Sequence, residues 1–167
     1  KQRIHRCLLF DNMDVDLYKY IKMYIRQKIN MPLLVVKNIL EKILVVAKTL
    51  CEHDIIHSDI KPENVFIKLG EPGGSSIPVP SRVCLGDFGS ATVMGEYVRM
   101  YGKTTDYRAP EVIFGHKRDV TPAIDVWSAG VVLLCLLVVG ACHHLLILEH
   151  ADTVLLPVRV TRRPATM

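Results

Sequence analysis

Residues 16–53 hold two helical stripes in succession, and no other feature of the sequence narrows the fold as much. In the first, Leu17, Tyr20, Ile21, Tyr24 and Ile25 recur at i, i+3, i+4, i+7 and i+8, the spacing of one apolar helix face. Asp16 stands just before them, where a carboxylate caps a helix. In the second, residues 31–53, Leu33, Val36, Ile39, Leu40, Ile43, Leu44, Ala47 and Leu50 predict a longer helix with a buried stripe. Pro32 suits its first turn. Two such stripes need a common apolar layer. Residues 123–139 supply a third helix, opening near Thr121-Pro122, and it is apolar nearly all round. A helix of that kind is buried in a core or in a membrane.

The remaining elements are short. Residues 6–10 read as a buried strand. Residues 54–64 mix apolar and polar residues around Pro62 and read as a loop. Residues 65–68 and 82–86 predict two strands of a hairpin, joined by a Gly-, Pro- and Ser-rich excursion over 70–81 that should be a flexible surface loop. Residues 87–111 show no periodicity, and a long irregular stretch inside a compact domain is usually functional. The expected fold is mainly α with small β-hairpins (α+β).

With 167 residues, the chain is one domain or part of one. Its 50% hydrophobic content excludes wholesale disorder. A formal charge of +4, with no stripe of basic residues beyond Arg159, Arg162 and Arg163 in the tail, argues against a nucleic-acid partner. Five cysteines with no CxxC spacing exclude a disulfide framework and a structural zinc site. Four of them lie in apolar runs, where a reduced thiol packs as a small hydrophobe, so an intracellular, reducing location is expected. No signal peptide opens the chain at Lys1, and it reads as a fragment. Residues 130–148 approach the length of a membrane span, but His143 and His144 interrupt them and a buried helix is needed there, so no membrane is expected. Cys135, Cys142, His143, His144 and His150 fit no tetrahedral zinc spacing.

The residues that carry chemistry begin with His57-Ser58-Asp59-Ile60-Lys61-Pro62-Glu63-Asn64. Asp87-Phe88-Gly89 follows the second hairpin strand, then Ala109-Pro110-Glu111, then Asp125-x-Trp127-x-x-Gly130. The first run resembles the catalytic loop of protein kinases, H-R-D-L-x-x-x-N, with its aspartate and asparagine five apart. The next two resemble D-F-G and A-P-E, and the last looks like the start of the buried helix at the centre of the kinase large lobe. Four motifs in the right order make the resemblance specific, and it covers about residues 6–139.

The resemblance implies roles. Asp59 would accept the proton of a substrate hydroxyl, and Lys61 would set a positive charge beside the transferring phosphoryl group, as the family associates with serine and threonine substrates. Asn64 and Asp87 would hold Mg2+, for which hard oxygen donors suit. Thr104 would contact Asp59 and Lys61. Phe10 would end a strand as the gatekeeper beside the adenine of ATP, Asp11 to Met13 would form the hinge, and Phe66 the floor beneath the base. Residues 87–111 would be the activation segment, with Thr92, Tyr97, Tyr101 and Thr105 as hydroxyl-bearing candidates for modification. Tyr107-Arg108-Ala109-Pro110-Glu111 resembles cyclin-dependent, MAP and DYRK-type kinases. Residues 84–89 and 121–125 resemble herpesvirus kinases, and the branch stays open.

The pattern also departs from the family. No glycine-rich loop, strand lysine or partner glutamate is present, and these belong to the small lobe. Ser58 stands where the family has the arginine that binds an activation-loop phosphate. Residues 140–167 match no part of the large lobe; Arg159, Arg162 and Arg163 are the only candidates there for the partner of Glu111. The expectation is therefore a partial kinase domain over 1–139, cut at the hinge, with a divergent tail over 140–167. It would act on protein substrates with ATP and Mg2+, with a possible regulatory partner protein, and be nearly inactive without a small lobe. The alternative is an inactive kinase-like fragment that serves as a binding or scaffolding module.

Overall fold

A computed structural model describes residues 7–71, 76–96, 105–115 and 120–141. In chain order the elements are β1 (Val15–Asp16), α1 (Leu17–Gln27), α2 (Leu33–Glu52), β2 (Ile55–Ile56), β3 (Val65–Leu69), β4 (Pro80–Leu85), β5 (Thr92–Val93), α3 (Pro110–Ile113) and α4 (Ala123–Ala141). Single 3-10 turns lie at Pro62–Asn64 and Phe88–Ser90. Mainly helical architecture with small antiparallel sheets is thus what the sequence pattern predicts.

Asp16 caps α1 as expected, its Oδ1 accepting the Lys19 amide at 2.7 Å. The helix ends where Lys28 turns left-handed at φ 55° and donates its amide to Ile25. Leu17, Tyr20, Ile21 and Tyr24 point inward and meet α2, β3 and α4 in one core. From α4 come Ala129, Val132 and Leu136, all fully buried. A smaller cluster of Ile56, Ala109, Val112, Val120 and Ile124 lies under α3 and the start of α4.

The buried face of α2 is Val35, Val36, Ile39, Ile43 and Ala47. This corrects the predicted stripe at its edges: Leu33 and Leu44 are exposed and Val35 is buried in their place. The helix is apolar on more than one face, so spacing alone does not select the side that docks. Pro32 stands just ahead of the first turn at φ −60°, and its carbonyl accepts the amides of Val35 and Val36.

The sheet order is β1-β3-β4, antiparallel throughout, with Val15 opposite Ile67 and Phe66 opposite Cys84. A second pair, β2 with β5, sets Ile55 opposite Val93. Residues 7–13 form no strand, which corrects the strand expected over 6–10. Apolar character alone does not make a strand; its amides and carbonyls need a neighbour to pair with. Among the described residues none supplies one.

The 70–81 connection is also less loose than its composition predicts. Ile77 is fully buried in the main core, and the Tyr20 hydroxyl donates to the Pro78 carbonyl at 2.9 Å. An edge-on ring contact at 5.4 Å and a hydroxyl–hydroxyl bond to Tyr24 complete that anchor. The cysteines differ from expectation too: Cys7 and Cys51 are exposed, and Cys84 and Cys135 are partly so. Among the described residues no helix is long and apolar enough to cross a membrane, and no group of His, Cys, Asp and Glu could hold a metal ion on its own.

Candidate active site

The polar run 57–64 leaves β2 and is held from below by one buried carboxylate. Asp125, in the first turn of α4, accepts the His57 amide at 2.7 Å and the Ser58 amide at 2.9 Å. Ser58 itself is left-handed, at φ 69°. For a serine that conformation is costly, and the Ser58 Oγ is buried with no hydrogen-bond partner. Burial pushes the Asp125 carboxyl above its ordinary range, while the two amides pull it back.

His57 is fully buried and links three segments. Its Nε2 lies 3.0 Å from the Gly86 carbonyl, and its Nδ1 lies 3.3 Å from the Asp59 amide. A carbonyl only accepts and an amide only donates. The network therefore assigns the proton to Nε2 and leaves Nδ1 as the acceptor. Burial drives the imidazole pKa below its ordinary value, against the attraction of Asp125, in keeping with a neutral ring. The Phe88 ring packs edge-on against it at 4.9 Å.

Asp59 follows with its carboxylate half-clamped. Its Oδ2 accepts from Lys61 Nζ at 2.8 Å and from Asn64 Nδ2 at 3.0 Å. Asn64 Nδ2 also reaches the Asp59 carbonyl at 2.8 Å. Pro62 opens the 3-10 turn that brings Asn64 back over Asp59. The outcome is chemically specific: Asp59 Oδ1 and Asn64 Oδ1 are left as acceptors with no hydrogen bond among the described residues. At about one-fifth exposure, Asp59 and Lys61 are shielded yet reachable.

The end of β4 is tied to this loop by the Gly86 amide, which donates to the Asn64 carbonyl at 2.9 Å. Gly86 also admits the Phe66 ring: a Cβ there would stand 2.8 Å from Phe66 Cε2. Asp87 comes next, left-handed at φ 59°, with Oδ1 accepting the Gly89 amide at 3.3 Å. The two interlocked turns thus bring Asp59, Lys61, Asn64 and Asp87 to one end of the β3–β4 hairpin.

The other expected residues divide. Phe66 is half-buried on β3, opposite Cys84. Met13 is half-buried beside β1. Asp11 pairs with Arg82. Asp14, not singled out in the sequence, bonds Lys68 Nζ and the Leu69 amide, both at 2.8 Å, and these hold its carboxyl below the usual range. Phe10 is 82% exposed and ends no strand, so its expected position at a strand end is not found. Thr104, Tyr97 and Tyr101 lie outside the described residues. Thr92 stands in β5 and Thr105 is exposed. Tyr107 is fixed behind the site: its carbonyl accepts from Ser128 Oγ at 2.7 Å, and its hydroxyl lies 3.8 Å from Cys135 Sγ. Burial raises the pKa of both groups. Asp125, His57 and Gly86 were quoted in the motifs without a role. Their signal in the sequence is their place at the head of D-x-W-x-x-G, at the head of the catalytic-loop run and directly before D-F-G.

Comparison with known proteins adds a family. The description that matches residues 1–145 is the protein kinase domain. Similar curated proteins include the probable serine/threonine-protein kinase dyrk2 of Dictyostelium discoideum, 36% identical over 132 residues, 79% of this chain and 13% of that one. The dual specificity protein kinase YAK1 homolog of Arabidopsis thaliana is 35% identical over 129 residues, 77% of this chain and 12% of that one. The putative dual specificity tyrosine-phosphorylation-regulated kinase 3 homolog of Drosophila melanogaster is 37% identical over 135 residues, 81% and 15%. The matched part of this chain thus spans only 12–15% of the length of these relatives.

Proposed function

Because this chain belongs to the protein kinase family, we propose that it is the large-lobe part of a serine/threonine kinase, transferring the γ-phosphoryl group of ATP to hydroxyls of protein substrates. Of the two branches its motifs resemble, its relatives support the DYRK-type one. Two of those relatives are named dual-specificity kinases; Lys61 favours serine and threonine here.

The observation that carries the reading is the asymmetry of Asp59. With Oδ2 held by Lys61 and Asn64, Oδ1 remains free to accept the proton of an incoming hydroxyl. Phosphoryl transfer asks the protein mainly for positioning and charge neutralisation. Lys61, fixed to Asp59 on one side, presents its ammonium charge beside the group in transit. Asn64 Oδ1 and the Asp87 carboxylate form an all-oxygen donor pair suited to Mg2+, and the neutral His57 stays outside that set. When bound, Mg2+ supplies charge neutralisation at the phosphate oxygens. Phe66 would lie under the adenine, with Phe10 and Asp11 to Met13 along its edge.

Residues 1–139 are the kinase part of this proposal and 140–167 a divergent tail. The site operates inside the cell on protein substrates, and a regulatory partner protein is part of the proposal. Ser58 cannot form the charge-assisted bond an arginine makes to a phosphate, so activity does not rest on a phosphate held at that position.

The test uses a chimera in which the small lobe of the Dictyostelium relative precedes residue 7. Mg2+-dependent binding of a fluorescent ATP analogue should weaken about tenfold or more with Asp87→Asn, which removes a charged metal ligand. Asp59→Asn should leave binding within about twofold, since Asp59 faces the hydroxyl rather than the nucleotide. Unchanged binding by Asp87→Asn would overturn the proposed metal site.

A further inference from the structure

The corner between α1 and α2 carries side chains that the active site does not use. Leu33 and Leu34 open α2 at 72% and 76% exposure, and Ile25 is partly exposed near the end of α1. Arg26 and Lys28 close α1 a few residues before the two leucines in the chain. Lys37 lies one turn along α2, at i+4 from Leu33 and i+3 from Leu34, so it shares their face.

Arg26, Lys28 and Lys37 are all exposed, and no side-chain hydrogen bond or ion pair engages them among the described residues. The other cations of α1 are engaged: Lys19 pairs with Asp16 at 2.8 Å, and Lys22 lies 4.1 Å over the Tyr18 ring. The carboxylates here are Asp16 at the far end of α1, Glu41 one turn beyond Lys37, and Glu52 at the end of α2, paired with Lys48.

We propose that this corner is a peripheral binding site for an anionic phospholipid surface. Leu33 and Leu34 enter the headgroup region, and Arg26, Lys28 and Lys37 meet the lipid phosphates. The charge of the corner selects an anionic partner. Its size selects the kind: three apolar side chains fall well short of the ~800 Å2 per partner of a stable protein interface. An interfacial anchor needs only a few apolar groups reinforced by basic ones. The expectation of no membrane concerned a span over residues 130–148, interrupted by His143 and His144; a peripheral contact needs no span, only a locally basic corner. The inference is independent of the kinase assignment.

The experiment is co-sedimentation of the 167-residue chain with vesicles of phosphatidylcholine alone or with about 30% phosphatidylserine, a composition that gives a cytoplasmic-like surface potential. Partitioning should favour the anionic vesicles and fall as salt rises from ~0.1 M to ~0.5 M, where screening shortens to a few ångströms. Each basic residue near such a surface contributes about fivefold, so reversing all three (Arg26→Glu, Lys28→Glu, Lys37→Glu) should cost about 100-fold or more. Leu33→Ser with Leu34→Ser should cost about tenfold or more through lost apolar burial. The control Lys42→Glu with Lys48→Glu reverses charge on α2 away from the corner and should cost only a few-fold. All seven substituted positions are exposed, so helix content by circular dichroism should be unchanged. Equal binding to both vesicles would overturn the proposal and return the corner to a protein partner. So would a control loss as large as that of the corner variant.

Discussion

Replacing Asp125 with alanine should unfasten the catalytic loop from α4, and the size of the effect follows from two distances. The carboxylate is 1% exposed and accepts the His57 amide at 2.7 Å and the Ser58 amide at 2.9 Å. Asp125→Ala leaves both amides buried without an acceptor, at about 1–3 kcal/mol each. Removing a buried charge returns part of its desolvation cost, so the net loss should be about 3 kcal/mol. Asp125→Asn keeps one oxygen acceptor and sets an NH2 group against the second amide, so it should lose about half as much. Trp127, the only tryptophan of the chain, sits two residues away on the same helix and reports the event. Urea unfolding followed in parallel by its fluorescence and by circular dichroism gives both the magnitude and a check on two-state behaviour. Ser128→Ala, which removes the hydroxyl shared by the Tyr107 and Ile124 carbonyls, should cost only about 1 kcal/mol. An Asp125→Ala loss below ~0.5 kcal/mol, the scale of a neutral surface change, would refute the claim that this carboxylate holds the loop.

Three further outcomes follow from the same geometry. His57 has its pKa lowered from 6.5 in the folded state by burial, so the unfolded chain binds the extra proton first. Its contribution to stability is therefore complete above about pH 6.5 and is lost as pH falls from there towards the lower folded value; His57→Gln should flatten that limb of a thermal-melting profile, and an unchanged slope would contradict the assignment. Ser58→Gly should raise stability by about 1 kcal/mol in the same urea assay, because it relieves a left-handed serine and removes a buried hydroxyl without a partner; a loss of similar size would show that the hydroxyl has a role. Gly86→Ala forces the half-buried Phe66 ring aside, from 2.8 Å, and should cost about 1 kcal/mol of stability together with severalfold weaker nucleotide binding by the chimera; unaltered binding would separate Phe66 from the adenine.

The local parts of this fold are legible in the sequence. The i, i+3, i+4 stripe of α1 and the Asp16 cap rest on neighbours within a few residues, and the two hairpin strands on the next strand along the chain. What fails is whatever depends on a partner elsewhere. Residues 7–10 have strand-like composition and nothing among the described residues to pair with. Leu33 and Val35 are equally apolar, and only docking against α4 and β4 decides which is buried. The Pro78 carbonyl gives no hint in sequence that Tyr20, 58 residues away, will reach it. The active site shows the same division. Asp59, Lys61 and Asn64 lie within one loop, and their spacing announces them. The Asp125–His57 link spans 68 residues and the His57–Gly86 link 29, so no spacing within either motif reveals that they share one network.

The central claim is that Asp59 receives the proton of the substrate hydroxyl, and the most direct measurement is steady-state phosphate transfer from radiolabelled ATP by the small-lobe chimera and its Asp59→Asn variant. The account predicts that the chimera labels serine and threonine of a generic basic-protein substrate, and that residues 1–167 alone label almost none. Asp59→Asn should lower kcat by about 10²–10⁴-fold, the usual contribution of a positioned general base, with the KM for ATP nearly unchanged. Transfer by Asp59→Asn at the wild-type rate would contradict the assignment, whatever the fate of nucleotide binding.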